Sequence, residues 1–114
     1  MSIRNHRARR MLVTLAMLAS IATLGPAGAE AADQAKILIK DFMYQTMSLT
    51  VKSGTTVTWT NNDDEPHTVI SDTGEFRSSA LDTNETFSYK FDKPGSYRYH
   101  CSIHPRMVAT VVVE

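Results

Sequence analysis

Residues 87–101 read FSYKFDKPGSYRYHC. On both sides of the turn signal Lys93-Pro94-Gly95, bulky or apolar residues occupy every second position. They are Phe87, Tyr89 and Phe91 before the turn, and Tyr97, Tyr99 and Cys101 after it. Because successive side chains of a strand point to opposite faces of a sheet, this alternation predicts two strands joined by a turn. It also places Cys101 on the same strand face as the two tyrosines.

The same period of two continues through the chain from about residue 34, and no apolar run at helical spacing is long enough for three turns. Residues 61–64 and 72–81 are predicted as a loop and an irregular connection. The remaining predicted strands contain Ile37 and Ile39, Leu49 and Val51, Val57 and Trp59, residues 67–71, and residues 108–114. Roughly seven short strands at about ten-residue spacing favour an all-β fold, a two-sheet β-sandwich.

The N-terminus has the composition of a secretory signal peptide. Residues 1–10 hold four arginines and no acid, residues 11–24 are apolar and uncharged, and Ala27-Gly28-Ala29 fits an A-x-A cleavage signal. The alternative is an uncleaved membrane anchor, but this apolar stretch is short for a span that needs about 20 residues. We therefore predict a signal peptide over 1–29, one exported domain over 30–114, and no stable membrane association after cleavage.

Charge and cysteine content narrow the possible functions. Removal of the four N-terminal arginines from twelve basic residues, against twelve acids, leaves the mature domain with a net charge of −4. A nucleic-acid partner would require a basic face, so we expect none. Cys101 is the only cysteine, so no disulfide can form within this exported chain. Coordination to a metal would hold its sulfur as a thiolate and shield it.

The segment from Cys101 to Met107 reads CSIHPRM and places a thiolate, an imidazole and a thioether at three-residue intervals. Cys101 ends one predicted strand and Met107 begins the next, so both lie with His104 on one tight loop. A second imidazole, His67, follows a loop further upstream. Two imidazoles, one thiolate and a weak axial thioether are the ligand set of a blue-copper electron-transfer site. The sequence therefore predicts one copper ion held by His67, Cys101, His104 and Met107.

The two other histidines are excluded as ligands. His100 adjoins Cys101 on the same predicted strand, so its side chain should point to the opposite face. His6 is removed with the signal peptide. Each proposed ligand taken singly has an ordinary structural explanation, such as a cysteine packed as a small core residue. Their joint occurrence at this spacing is what indicates a metal site.

Other functional classes compete with electron transfer. A periplasmic copper scavenger or chaperone would use the same ligands, but it would favour a labile, often Met-rich or paired-Cys site. The mature chain has only Met43, Met47 and Met107, so this alternative is second. Hydrolase chemistry from a Cys–His pair would need an oxyanion hole, which the loop does not offer. Haem attachment would need a C-x-x-C-H motif, which is absent. We predict that the protein is not an enzyme.

At these residues the sequence resembles the cupredoxins, and within them the amicyanin-like group, which shares the short C-x2-H-x2-M loop. The resemblance covers residues 36–114. Its matching segments are VTWTN at 57–61, Pro66-His67, GSYRYHC at 95–101, His104-Pro105 and VVVE at 111–114. It implies a Greek-key β-sandwich, a single type 1 copper, and a monomer that shuttles single electrons between a periplasmic redox donor and acceptor.

The resemblance also implies a role for each ligand and makes two departures visible. His67, Cys101 and His104 would be strong equatorial ligands and Met107 the weak axial one, with partners docking near His104. Family members commonly carry Asn after the first copper histidine, where it braces the two ligand loops. Here the residue is Thr68, whose shorter hydroxyl predicts a looser brace.

The second departure concerns the docking surface. Relatives often surround the exposed histidine with apolar residues, whereas Glu65 and Arg106 flank the site in this sequence. If both side chains point outward, the surface around His104 contains one charge of each sign.

Overall fold

The computed structural model describes residues 33–114. The predicted signal peptide and His6 lie outside the described residues. Eight strands make up the described part of the chain: β1 (Gln34–Lys40), β2 (Met43–Gln45), β3 (Ser48–Val51), β4 (Thr55–Asn61), β5 (Ile70–Ser71), β6 (Thr86–Phe91), β7 (Gly95–His100) and β8 (Val108–Val113). Within residues 33–114 no helix is long and apolar enough to cross a membrane.

The strands form two four-stranded sheets with the orders β2-β1-β4-β6 and β3-β8-β7-β5. The chain changes sheet at every connection from β2 to β7, whereas β1 and β2 pair within one sheet and β7 and β8 pair within the other. The pairs β1–β4 and β3–β8 are parallel, and the other pairs are antiparallel. The predicted all-β, two-sheet Greek-key sandwich is confirmed.

An aromatic core fills the space between the sheets. Trp59 is fully buried in the middle of β4, and its ring centroid lies 5.4 Å from that of Tyr99 on β7. Burial alternates strictly along β4, which is the pattern expected for a strand with one face on the core. Two buried aromatic residues, Tyr44 and Phe76, are absent from the sequence prediction. Tyr44 lies on the three-residue β2, which is too short to show a period, and Phe76 lies in the irregular connection.

The predicted strand over residues 67–71 is wrong for its first half, because only Ile70–Ser71 forms β5. The backbone N–H of Thr68 points to Cys101 Sγ at 3.4 Å, and that of Val69 donates to Ser78 Oγ at 2.8 Å. These bonds to side chains replace the regular ladder. His67 keeps an isolated bridge to Leu81, which fixes its backbone at the end of the sandwich.

Candidate metal centre

Three of the four predicted ligand residues bring their donor atoms together. Cys101 Sγ lies 3.9 Å from Nδ1 of His67 and 3.9 Å from Nδ1 of His104. The donor atoms of these three residues all lie within 4.8 Å of one another. Cys101 and His67 are fully buried, whereas His104 is half-buried. The chain therefore presents two imidazole nitrogens and one sulfur to a common point just below the surface.

The loop between β7 and β8 carries Cys101 and His104 and closes on itself through backbone hydrogen bonds. The N–H of Cys101 donates to the carbonyl of Met107 at 3.1 Å, and the N–H of Met107 donates to the carbonyl of His104 at 2.9 Å. Met107 is 4% exposed and lies near the three donors. Met107 therefore lies with the other three predicted ligand residues at one end of the sandwich.

This donor set fits a copper ion. Soft sulfur donors suit Cu(I), and imidazole nitrogens also suit Cu(II). Bonds to a first-row metal ion are about 2.1 Å for nitrogen and about 2.3 Å for sulfur, as zinc illustrates. Donor atoms 3.9 Å apart can therefore share one ion without rearrangement of the backbone.

Asp63 holds the far side of the His67 ring and is a site residue that the sequence prediction missed. Its Oδ2 lies 2.8 Å from His67 Nε2, and both side chains are buried. When the Nε2–H group donates a hydrogen bond to the carboxylate, Nδ1 carries no proton, and its lone pair faces Cys101 and can bind a metal. A carboxylate behind the imidazole thus fixes both the tautomer and the orientation of the ring.

Asp63 also fixes the turn between β1 and β2. It accepts hydrogen bonds from the N–H of Asp41 at 2.7 Å and from the N–H of Phe42 at 3.0 Å. Burial acts to raise the pKa of Asp63, but these backbone bonds and the bond from His67 outweigh it and hold the pKa below its usual range. The carboxylate is therefore charged at neutral pH.

Phe42 is the second residue that the sequence prediction missed. Asp41 and Phe42 have φ values of 52° and 55°, a left-handed turn that Asp63 stabilises. The turn places the Phe42 ring edge-on to both imidazoles, with centroids 5.3 Å from His67 and 4.9 Å from His104. Phe42 thus covers the two histidines, although it is distant from them in sequence.

Thr68 joins the two ligand loops directly. Its Oγ1 accepts a hydrogen bond from the N–H of Ser102 at 2.8 Å and lies 3.0 Å from Ser102 Oγ. Its carbonyl accepts a bond from the hydroxyl of buried Tyr44 at 2.6 Å. Replacement of the more usual asparagine by threonine therefore leaves the loop carrying His67 bonded to the loop carrying Cys101.

His100 lies outside the donor group, as the strand-face argument requires. Its Nδ1 is 2.6 Å from Asp72 Oδ1, and its side chain is 35% exposed. Cys101, the next residue, is fully buried. The side chains of His100 and Cys101 therefore point to opposite faces of the sheet.

His104 opens onto a surface depression whose lining is mainly apolar. The lining residues are Phe42, Ile103, His104, Pro105, Arg106 and Met107. Phe42 is 48% exposed and Ile103 is 44% exposed. Glu65 is exposed but does not line the depression. Of the two charges predicted beside His104, only Arg106 belongs to this surface, and Phe42, Ile103 and Pro105 form what we call the apolar rim.

Substitution of Asp63 should weaken metal binding without removing it. Three N–H donors converge on the Asp63 carboxylate, whereas the amide of Asp63→Asn offers one acceptor oxygen and places an NH2 group against one of them. Loss of a partner behind a ligating histidine typically costs 10–100-fold in affinity, and for this shape-conserving change we expect about tenfold. A competition titration with a coloured copper chelator measures the difference. Asp64→Asn, the exposed neighbour, should bind like the wild type. Equal affinity of Asp63→Asn and the wild type would contradict the role given to Asp63.

The chain is similar to known proteins over most of its length. The Cupredoxin-like domain family matches residues 10–113. Amicyanin-alpha of Methylorubrum extorquens is 35% identical over 118 residues, which cover 95% of this chain and 99% of that protein. Amicyanin of Paracoccus denitrificans is 40% identical over 107 residues, which cover 88% of this chain and 82% of that protein. Among solved structures, a Cu(I) form of an amicyanin variant matches with a TM-score of 0.66 and 36% identity, over 75% of this chain and 87% of that chain.

Proposed function

We propose that this chain, which belongs to the cupredoxin-like family of small copper electron-transfer proteins and is similar to amicyanin, holds one copper ion on His67, Cys101, His104 and Met107. We further propose that it works in the periplasm as a monomeric carrier of single electrons between two redox proteins. The observation that supports this most directly is the convergence of Cys101 Sγ with the Nδ1 atoms of both histidines.

Copper, when bound, supplies a one-electron couple between Cu(I) and Cu(II). The protein contributes a fixed set of donors. Asp63 holds the His67 ring, and the hydrogen bonds within the loop hold Cys101 and His104 in place. Since these constraints come from the fold, the side chains need little movement when the charge at the site changes. A small structural change per electron is what a rapid carrier requires.

The surface around His104 supports the proposed route to a partner. His104 is half-buried and is the more exposed of the two imidazoles, so its ring edge is what another protein can approach. The apolar rim surrounds that edge, and a partner that docks there expels water from exposed aromatic and aliphatic side chains. Rapid exchange of electrons then requires only brief contact at this end of the sandwich.

Copper scavenging or delivery is the alternative function, and the burial of the donor atoms favours an electron carrier instead. His67 and Cys101 are fully buried and are bonded from behind by Asp63 and Thr68. Copper delivery would need ligands that an incoming acceptor can reach, whereas His104 is the only partly exposed residue among the three clustered donors.

Copper titration combined with voltammetry tests the proposal. We expect one equivalent of Cu(II) to produce an intense blue absorption from sulfur-to-copper charge transfer, and the loaded protein to be reduced and reoxidised reversibly by one electron. A chelator should then remove the ion slowly. A weak absorption band would contradict the blue-copper assignment, and fast transfer of the ion to the chelator would favour the copper-handling alternative.

A further inference from the structure

The sulfur of Cys101 has two hydrogen-bond donors on its protein side, and both belong to Thr68. The backbone N–H of Thr68 lies 3.4 Å from Sγ, and the Thr68 hydroxyl oxygen lies 3.7 Å from it. Cys101 is fully buried and Thr68 is 5% exposed. Water is therefore not a competing partner for the sulfur on this side.

The Ser102 hydroxyl is the other possible acceptor of the single Thr68 hydroxyl proton. A hydroxyl has one proton and two lone pairs. One lone pair of Thr68 Oγ1 accepts the N–H of Ser102 at 2.8 Å. Ser102 Oγ is 3.0 Å away, and either hydroxyl can be the donor in that contact. Two proton arrangements are thus possible, and only one of them directs the Thr68 proton to the sulfur.

Charge and exposure select between the two arrangements. A thiolate is an ionised acceptor, and hydrogen bonds to ionised groups are roughly twice as strong as those between neutral groups. The Cys101 sulfur is buried, whereas Ser102 is exposed and its oxygen can accept from water instead. The favoured arrangement therefore has Ser102 donating both its N–H and its O–H to Thr68 Oγ1, and Thr68 donating its O–H to Cys101 Sγ.

We propose that the Thr68 hydroxyl, whose oxygen accepts the backbone N–H of Ser102, is a second hydrogen-bond donor to the Cys101 thiolate and raises the reduction potential of the copper site. This inference rests on the proposed function and deepens it. A hydrogen bond to the sulfur draws electron density away from the metal, which favours the reduced state. The bond from Tyr44 to the Thr68 carbonyl fixes the Thr68 peptide, so the hydroxyl is held beside the sulfur.

Three variants of the copper-loaded full-length protein test this inference. Thr68→Val keeps the shape of the side chain without the hydroxyl, and Thr68→Ser keeps the hydroxyl. Ser102→Ala removes the Ser102 hydroxyl but keeps the backbone N–H that bonds Thr68 Oγ1. For Thr68→Val we expect the ratio of reduced to oxidised copper at a fixed potential to fall about tenfold, which is about 59 mV for a one-electron couple. Its charge-transfer band should also move to longer wavelength, because the sulfur orbital is no longer stabilised. Thr68→Ser should stay within about twofold of the wild type.

Ser102→Ala distinguishes the two proton arrangements and lies on the surface, where the fold tolerates it. If Thr68 already donates to the sulfur, the potential of Ser102→Ala should change by less than about twofold in that ratio. A clear rise would overturn the inference, because it would mean that removal of Ser102 had released the Thr68 proton to the sulfur. An unchanged potential in Thr68→Val would overturn it as well. Wild-type protein without an intense blue band would instead contradict the proposed function itself.

Discussion

Copper-loaded Cys101→Ser is expected to have no intense blue absorption. The colour of such a site arises from charge transfer between the thiolate sulfur and Cu(II), and a serine hydroxyl has no comparable orbital. Cys101 Sγ is also the central donor, 3.9 Å from the Nδ1 atoms of both His67 and His104. Absorption spectra recorded at one equivalent of Cu(II) measure the effect directly, whether or not the variant still binds the ion through its histidines.

His100→Ala is the matched control for this experiment. It changes the residue beside Cys101, but its side chain points to the other face of β7 and is bonded to Asp72. We expect its spectrum to be nearly that of the wild type. Retention of the blue band in Cys101→Ser would exclude Cys101 as the ligand that gives the colour. Loss of the band in His100→Ala would show that the two faces of β7 are coupled at the metal.

The fold could be predicted from the sequence because its pattern is local. Strands β4, β6 and β7 alternate side chains with a period of two, and each has at least one buried aromatic residue on its inner face. The proposed ligands on the loop after β7 could be suggested from the sequence for the same reason, since three of the four lie within seven consecutive residues. His67 was the only predicted ligand that required a contact between distant parts of the chain.

The residues around the ligands could not be predicted, because their roles depend on contacts between distant segments. Asp63 reads as one more polar residue of a loop until the β1–β2 turn places two backbone N–H groups against its carboxylate. Phe42 reaches both imidazoles only because the turn has positive φ values, which no hydrophobic period encodes. The sequence predicted a looser brace at Thr68. The bond from the N–H of Ser102 to Thr68 Oγ1 could not be foreseen, because it forms only when the two loops lie side by side.

The positions of Glu65 and Phe42 in the structure change the expectation for docking. Glu65 lies close to His67 in sequence, yet it does not line the depression at His104. Phe42, which is far away in sequence, supplies part of the apolar rim instead. Contact between this surface and another protein should therefore depend mainly on apolar burial, with Arg106 as the one charged residue in the lining. Two copies of the chain can meet through the same surface, which allows a test without a known partner.

Ile103→Glu should slow electron exchange between reduced and oxidised copies of this protein by about tenfold to a hundredfold at low salt. Ile103 is 44% exposed and adjoins His104, so the new carboxylates of two copies would face each other whenever their histidines approach. Two like charges at the point of contact repel, and the encounter also loses the burial of two isoleucine side chains. NMR line broadening in mixtures of Cu(I) and Cu(II) protein measures the exchange rate.

Added salt and a neutral variant distinguish the effect of the new charge on the exchange rate from the effect of the lost apolar burial. The Debye length shortens from about 30 Å at 0.01 M to about 10 Å at 0.1 M ionic strength, so added salt should restore much of the rate of Ile103→Glu. Ile103→Gln has nearly the same shape as Ile103→Glu but no charge. It should show a smaller loss that salt does not restore, because only burial has been removed. If Ile103→Glu exchanged electrons as fast as the wild type at low salt, the copies would have to meet elsewhere, and the surface around His104 would no longer be the docking site.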